Sequence, residues 1–89
     1  MRVAIDLLYF AGIREAIGLS GERVDPPASV ASVVDLVDWL VARGNGYVTA
    51  FADRTKLRAA IDDRFVDLNA SLAGAREVAL FPPVTGGAA

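Results

Sequence analysis

Neither histidine nor cysteine occurs in the sequence, so the side chains that most often serve as general base, thiolate nucleophile or zinc ligand are missing. The adjacent carboxylates Asp62 and Asp63 could suggest a metal site. Neighbours across a turn point apart, however, and Asp-Asp-Arg is good turn chemistry, which is the reading adopted here. The remaining chemical interest lies in the run Phe81-Pro82-Pro83-Val84-Thr85-Gly86-Gly87-Ala88-Ala89. Two prolines favour an extended path and lower the entropy lost when it is held straight. Two glycines remove side chains where a backbone must pass close to something. A segment stiff at its base and bare near its tip suits a narrow pocket on another protein. The alternative is a frayed end rich in Gly and Ala, and the placement directly after a final strand favours pocket entry.

The elements behind this segment form a small frame. The chain has 89 residues and a net charge of −2, which fits one domain and argues against a nucleic-acid binder. Hydrophobic residues make up 54%, but alanine supplies 16 of them, so one thin core in two layers is expected. Charged residues at 22% leave disorder unsupported. Met1-Arg2 leads directly into the apolar run Val3 to Phe10, interrupted by Asp6, which is too short to span a bilayer and lacks a cleavage signal. A cytoplasmic protein that is not a catalyst by itself is expected.

Residues 3 to 10 suit a largely buried strand. Tyr9 and Phe10 alternate there, so one is core and the other surface. Ile13 and Ile17 share one face of a short helix that Gly18 stops. Residues 21 to 26 read as a strand closed by Pro26-Pro27. Ser32 caps the main helix, with Asp35 at the capping-box position, and Val33, Leu36, Val37 and Leu40 repeat at helical spacing. Gly44-Asn45-Gly46 ends it. Trp39 lies off the centre of this stripe, either closing the edge of the core or contacting a partner. Residues 47 to 55 are irregular, with one helical turn around Val48 to Ala52. Leu57 to Ile61 alternates as a strand, Asp62-Asp63-Arg64 turns, and Phe65-Val66 begins the returning strand. Leu72-Ala73-Gly74-Ala75 is another turn, and residues 76 to 81 form the last strand. The order predicts an α+β fold of the β-grasp, or ubiquitin-like, kind: a mixed sheet packed on one main helix. Residues 1–81 form the domain and 82–89 an extended tail.

The sequence resembles the family of molybdopterin synthase small subunits, which are ubiquitin-like sulfur carriers. The resemblance rests on Tyr9-Phe10-Ala11-Gly12-Ile13-Arg14-Glu15, on Ser32 through Leu40 and on the Leu57 to Val66 hairpin. Above all it rests on the run from Glu77 to Gly87. It implies that the terminal glycine carboxylate is adenylated by an activating enzyme using ATP and then converted to a thiocarboxylate. It further implies that the tail enters the large synthase subunit and donates sulfur to cyclic pyranopterin monophosphate. The carrier itself would bind no cofactor and no metal. By position, Gly87 would carry the sulfur and Gly86 would keep the approach narrow. Phe81, Pro82 and Pro83 would set the exit and, with Val84 and Thr85, contact the partner. Phe65 is either part of an apolar docking patch or a hairpin core residue. Arg14 is either a solvated helix charge or a contact to a partner's acidic residues.

The sequence departs from the family in one respect, because Ala88 and Ala89 follow the glycine pair. Gly87 must present a free carboxylate, so either a trimming protease removes them, or the chain is not activated as written, or Ala89 itself is used, which would abandon the bare glycine tip. Removal is the expectation. A carrier serving thiamine, cysteine or tRNA thiolation is an alternative, and so is a ubiquitin-like modifier or interaction module. The β-grasp fold by itself separates none of these.

Overall fold

The computed structural model describes residues 4–83. Eight elements follow one another: β1 (Ile5–Tyr9), α1 (Ala11–Ile17), β2 (Gly21–Val24), α2 (Val33–Val41), α3 (Gly46–Ala50), β3 (Arg58–Ile61), β4 (Arg64–Val66) and β5 (Glu77–Phe81). A 3-10 turn, Arg54–Lys56, precedes β3. The sheet order is β2-β1-β5-β3-β4. β5 lies at its centre, parallel to β1 and antiparallel to β3.

Period-two alternation sets the faces of the sheet. Ile5, Leu7 and Tyr9 of β1 and Val78 and Leu80 of β5 point into the core, where Val33, Leu36, Val37 and Leu40 of α2 meet them. Positions 33, 36, 37 and 40 fall on one helical face, and each such side chain contributes about 1.5–3 kcal/mol on burial. The expected capping box starts α2: the Ser32 hydroxyl accepts from the Asp35 N–H, and the Asp35 carboxylate accepts from the Ser32 N–H. Trp39 is half-buried at the edge of this core.

Several boundaries differ from expectation. β2 ends at Val24 rather than running to residue 26, and Pro26 is instead buried against the core. Helix α1 begins two residues before Ile13. α2 stops at Val41, before the Gly-Asn-Gly run; Gly44 and Asn45 take positive φ, but Gly46 opens α3. A Cβ at Gly46 would lie 2.0 Å from the Ala16 carbonyl oxygen, so glycine lets α3 pack directly on α1. Arg64 pairs with Ile61 as the first residue of β4, which leaves Asp62 and Asp63 as a two-residue turn. Their φ values of 49° and 72° give the primed geometry that matches the twist of a hairpin.

Candidate functional site

Strand β5 delivers the C-terminal segment. It is held on both sides until Phe81, which lies opposite Arg58 of β3. Pro82 and Pro83 follow, both half-buried. Having no N–H to donate, they cannot extend the ladder, so the chain leaves the sheet there. Val84, Thr85, Gly86 and Gly87, expected to contact the partner and carry the reactive end, lie outside the described residues, as do Ala88 and Ala89.

The face of the sheet opposite α2 carries an apolar row. Register aligns Leu8 of β1 with Ala79 of β5, Ala79 with Ala60 of β3, and Ala60 with Phe65 of β4. Phe65 is 84% exposed, which settles it as a surface residue rather than hairpin core. Its ring lies 5.8 Å from that of Phe81, tilted by 55°. The two expected contact residues are thus brought together at the base of the tail. Phe10 is half exposed and donates its N–H to the Leu80 carbonyl beside them, while Tyr9 is buried, which decides the alternative the sequence left open. Leu8, Ala60 and Ala79 were not singled out as site residues, although their alternation with core positions was the available signal. Arg14 is exposed on α1 and makes no side-chain hydrogen bond or ion pair among the described residues. The structure does not bring it into contact with Phe65 or Phe81.

Two polar arrangements support this frame. Asp62 is turned back onto β5, where its carboxylate accepts from the N–H groups of Glu77 at 2.9 Å and Arg76 at 3.2 Å. Its own N–H donates to the Glu77 carbonyl. Across the sheet, Glu22 of β2 accepts from the hydroxyls of Tyr9 and Tyr47 and from the Arg43 guanidinium at 3.0 Å. Arg43 also lies over the Trp39 ring, 4.9 Å from its centroid. Burial pushes the Tyr9 phenol far above its ordinary range, and the adjacent Glu22 carboxylate adds to the effect. Burial also raises Glu22, but the hydrogen bonds from Tyr47, Tyr9 and Arg43 outweigh it and hold the carboxyl below its usual range. The cluster ties β1, β2 and α3 together. Sequence reasoning missed it, although Glu22 shares a strand face with buried Val24.

Two hollows among the described residues are both open to solvent. The first, about 560 Å³, is lined by Ile5, Val30, Leu72, Ala75 and Arg76 at the end of the sheet remote from Phe81. The second, about 600 Å³ and shallower, borders Phe65 and Val66. It is the one that adjoins the apolar row, and it adds a concave edge to that surface. Among the described residues no three acidic side chains gather closely enough to hold a metal ion. No described helix is long and apolar enough to cross a membrane.

A central pair of parallel strands formed by the first and last of the sheet, with a main helix across one face, defines a β-grasp protein of the ubiquitin-like class. The chain belongs to the ThiS family, whose pattern matches residues 7–87. It is 36% identical to the molybdopterin synthase sulfur carrier subunit of Escherichia coli over 83 residues, covering 93% of this chain and 99% of that one. The sulfur carrier subunit of Haemophilus influenzae is 31% identical over the same share of each chain. Among solved structures, SAMP1 from Haloferax volcanii superposes with a TM-score of 0.68 at 29% identity, covering 96% of this chain and all of the other.

Proposed function

We propose that this protein is the sulfur carrier subunit of a molybdopterin synthase, bearing a thiocarboxylate on Gly87 and donating its sulfur to cyclic pyranopterin monophosphate. The observation that carries this reading is the near end-to-end identity with two sulfur carrier subunits, continued by the family match to Gly87. A carboxylate resists nucleophilic attack, so an adenylating enzyme using ATP activates Gly87 before sulfur is added. No side chain of the carrier takes part in bond making, and the carrier binds no cofactor of its own. Phe81 and Phe65, with the row Leu8, Ala79 and Ala60, form the face that rests on the large synthase subunit. Pro82, Pro83, Val84 and Thr85 line the path into that subunit's pocket, narrowed at Gly86, and Arg14 meets an acidic side chain of a partner. The work takes place in the cytoplasm.

The family match leaves Ala88 and Ala89 beyond Gly87. The bond after Gly87 is an ordinary peptide, so a protease must hydrolyse it to free the carboxylate. Intact-protein mass of the chain recovered from its own cells tests the whole reading. A chain ending at Gly87 with one oxygen replaced by sulfur is the expected form. A chain that retains Ala88, and takes up no sulfur when the activating enzyme and ATP are supplied, would overturn it. A second reading, conjugation to amines of other proteins, draws on the likeness to SAMP1, a small archaeal modifier protein. In that case the same mass analysis would find Gly87 in isopeptide bonds to other proteins.

A further inference from the structure

The face of the sheet opposite α2 is laid out in rows across its strands. Its middle row is apolar: Leu8, Ala79, Ala60 and Phe65. Side chains two residues along a strand return to the same face. Towards the end of β5 these are Phe81 and Arg58, which lie opposite each other. Towards its start they are Asp6 and Glu77, also opposed, with Asp62 joined to Glu77 through its N–H.

The two ends of the face carry opposite charge that is only partly neutralised. Arg58 is exposed and donates to the backbone carbonyls of Thr55 and Leu57, and it has no carboxylate partner among the described residues. Asp6 and Glu77 are like charges directly across a strand pair, an arrangement that destabilises a sheet unless a cation is near. Arg23 lies 2.8 Å from Asp6, but Glu77 has no cation partner among the described residues. The Asp62 carboxylate accepts only from the N–H groups of Arg76 and Glu77.

Spacing about the apolar row is symmetric. Arg58 and Asp62 are each two residues from Ala60, and Phe81 and Glu77 are each two residues from Ala79. A two-fold axis running along the row, in the plane of the face, lays a second copy over the first with the row on itself and the ends exchanged. Arg58 of each copy then meets Asp62 and Glu77 of the other. Sheets packed face to face cross at about 30°, which moves a group about 7 Å from the axis sideways by roughly 4 Å, less than the spacing of about 4.8 Å between strands. The guanidinium therefore stays within reach of these carboxylates.

We propose that this face is self-complementary and pairs with a second copy of the chain in a two-fold symmetric dimer, Phe65 against Phe65 and Arg58 against Asp62 and Glu77. Five strands of about five residues offer about 400 Å² per copy, half of the about 800 Å² that stable complexes bury on each partner. The dimer is accordingly weak, forming at high concentration and parting on dilution. It covers Phe65 and Phe81, so on the carrier reading above it excludes the large subunit and holds surplus carrier in reserve. The pairing itself does not depend on that reading.

Sedimentation equilibrium of the full chain from about 10 μM to about 1 mM tests the proposal, with the average mass expected to climb toward twice the monomer value. Arg58→Glu and Glu77→Arg each set like charges together twice in their own dimer and should weaken association at least tenfold. An equimolar mixture of the two sets opposite charges together at both contacts and should recover it, which a loss of fold could not produce. Phe65→Ala, at an 84% exposed position, should weaken pairing without touching the fold. A parent chain still monomeric at about 1 mM would overturn the proposal. So would a dimer that Arg58→Glu leaves intact, or a mixture no more associated than its components. Sulfur loading of the parent chain by its activating enzyme is scored separately. Its failure would remove the carrier reading and leave the dimer standing, whereas a monomer that loads sulfur would remove the dimer alone.

Discussion

Replacing Glu22 tests whether a polar cluster inside the edge of the sheet holds the frame together. The Glu22→Ala change removes the acceptor of the Tyr9 hydroxyl, on a residue only 1% exposed. Leaving a buried hydroxyl without a partner costs about 1–3 kcal/mol. The ion pair with Arg43, whose side chain is 38% exposed, adds no more than about 1 kcal/mol. A total near 2–3 kcal/mol is expected, and in a domain of this size each kcal/mol lowers Tm by about 4–8 °C. Urea unfolding followed by circular dichroism reads the same quantity. Tyr9→Phe supplies the control, because without the hydroxyl the penalty for an orphaned group vanishes and Glu22→Ala should cost about 1–2 kcal/mol less in that background. The pH dependence has a definite sign. Since the folded Glu22 pKa lies below its unfolded value, the contribution is complete above the ordinary glutamate range and is lost as pH falls through the folded pKa. Glu22→Gln should flatten that acid limb. A Glu22→Ala cost under about 0.5 kcal/mol in both backgrounds would show that the cluster is decoration.

Tyr9 gives an opposite limb at alkaline pH. Its raised pKa means that its contribution is full below the ordinary tyrosine value of 10.0 and declines as pH climbs toward the folded pKa, so Tyr9→Phe should unfold less readily than the parent in alkaline titrations. Gly46→Ala should destabilise by about 1–3 kcal/mol in thermal melts, because the added methyl meets the Ala16 carbonyl and one helix must shift; an unchanged Tm would mean the packing of α3 on α1 is loose. Asp62→Ala is expected to cost about 1–2 kcal/mol through lost hydrogen bonds to β5 and a left-handed alanine. Asp62→Gly, which relieves only the backbone term, should recover part of this, and equal losses would refute that division. Phe65→Ala, at an 84% exposed position, should leave stability within about 0.5 kcal/mol and weaken large-subunit binding at least tenfold in calorimetry. Undiminished affinity would remove Phe65 from the docking face.

The order of elements and the stripe on α2 could be read from the sequence because long-period patterns report which face is buried. The capping box at Ser32 and Asp35 was equally legible, since it depends on two residues three apart. By contrast α3 has five residues, no buried side chain and no side-chain cap, so the sequence showed only one helical turn and set it around Val48 to Ala52, two residues later than the Gly46–Ala50 helix. It exists because Gly46 fits against α1 and Tyr47 reaches Glu22. The arginine of the Asp62-Asp63-Arg64 run was misplaced for a related reason, since only the two-residue register decides where turn becomes strand. For the site, Phe65 and Phe81 could be named singly, but their meeting depends on β3 lying between their two strands. The row Leu8, Ala79 and Ala60 is likewise a property of register across three strands.

The central position of β5 also has a mechanical meaning. A force drawing on the C-terminal segment runs along β5 into two hydrogen-bond ladders at once, four residue pairs with β1 and four with β3. Tension directed along the strand loads those bonds in parallel, as shear, and does not peel them one by one as it would at an edge strand. On the proposed reading, in which the segment enters a pocket of the large subunit, insertion and withdrawal would load the middle of the sheet and not an edge strand.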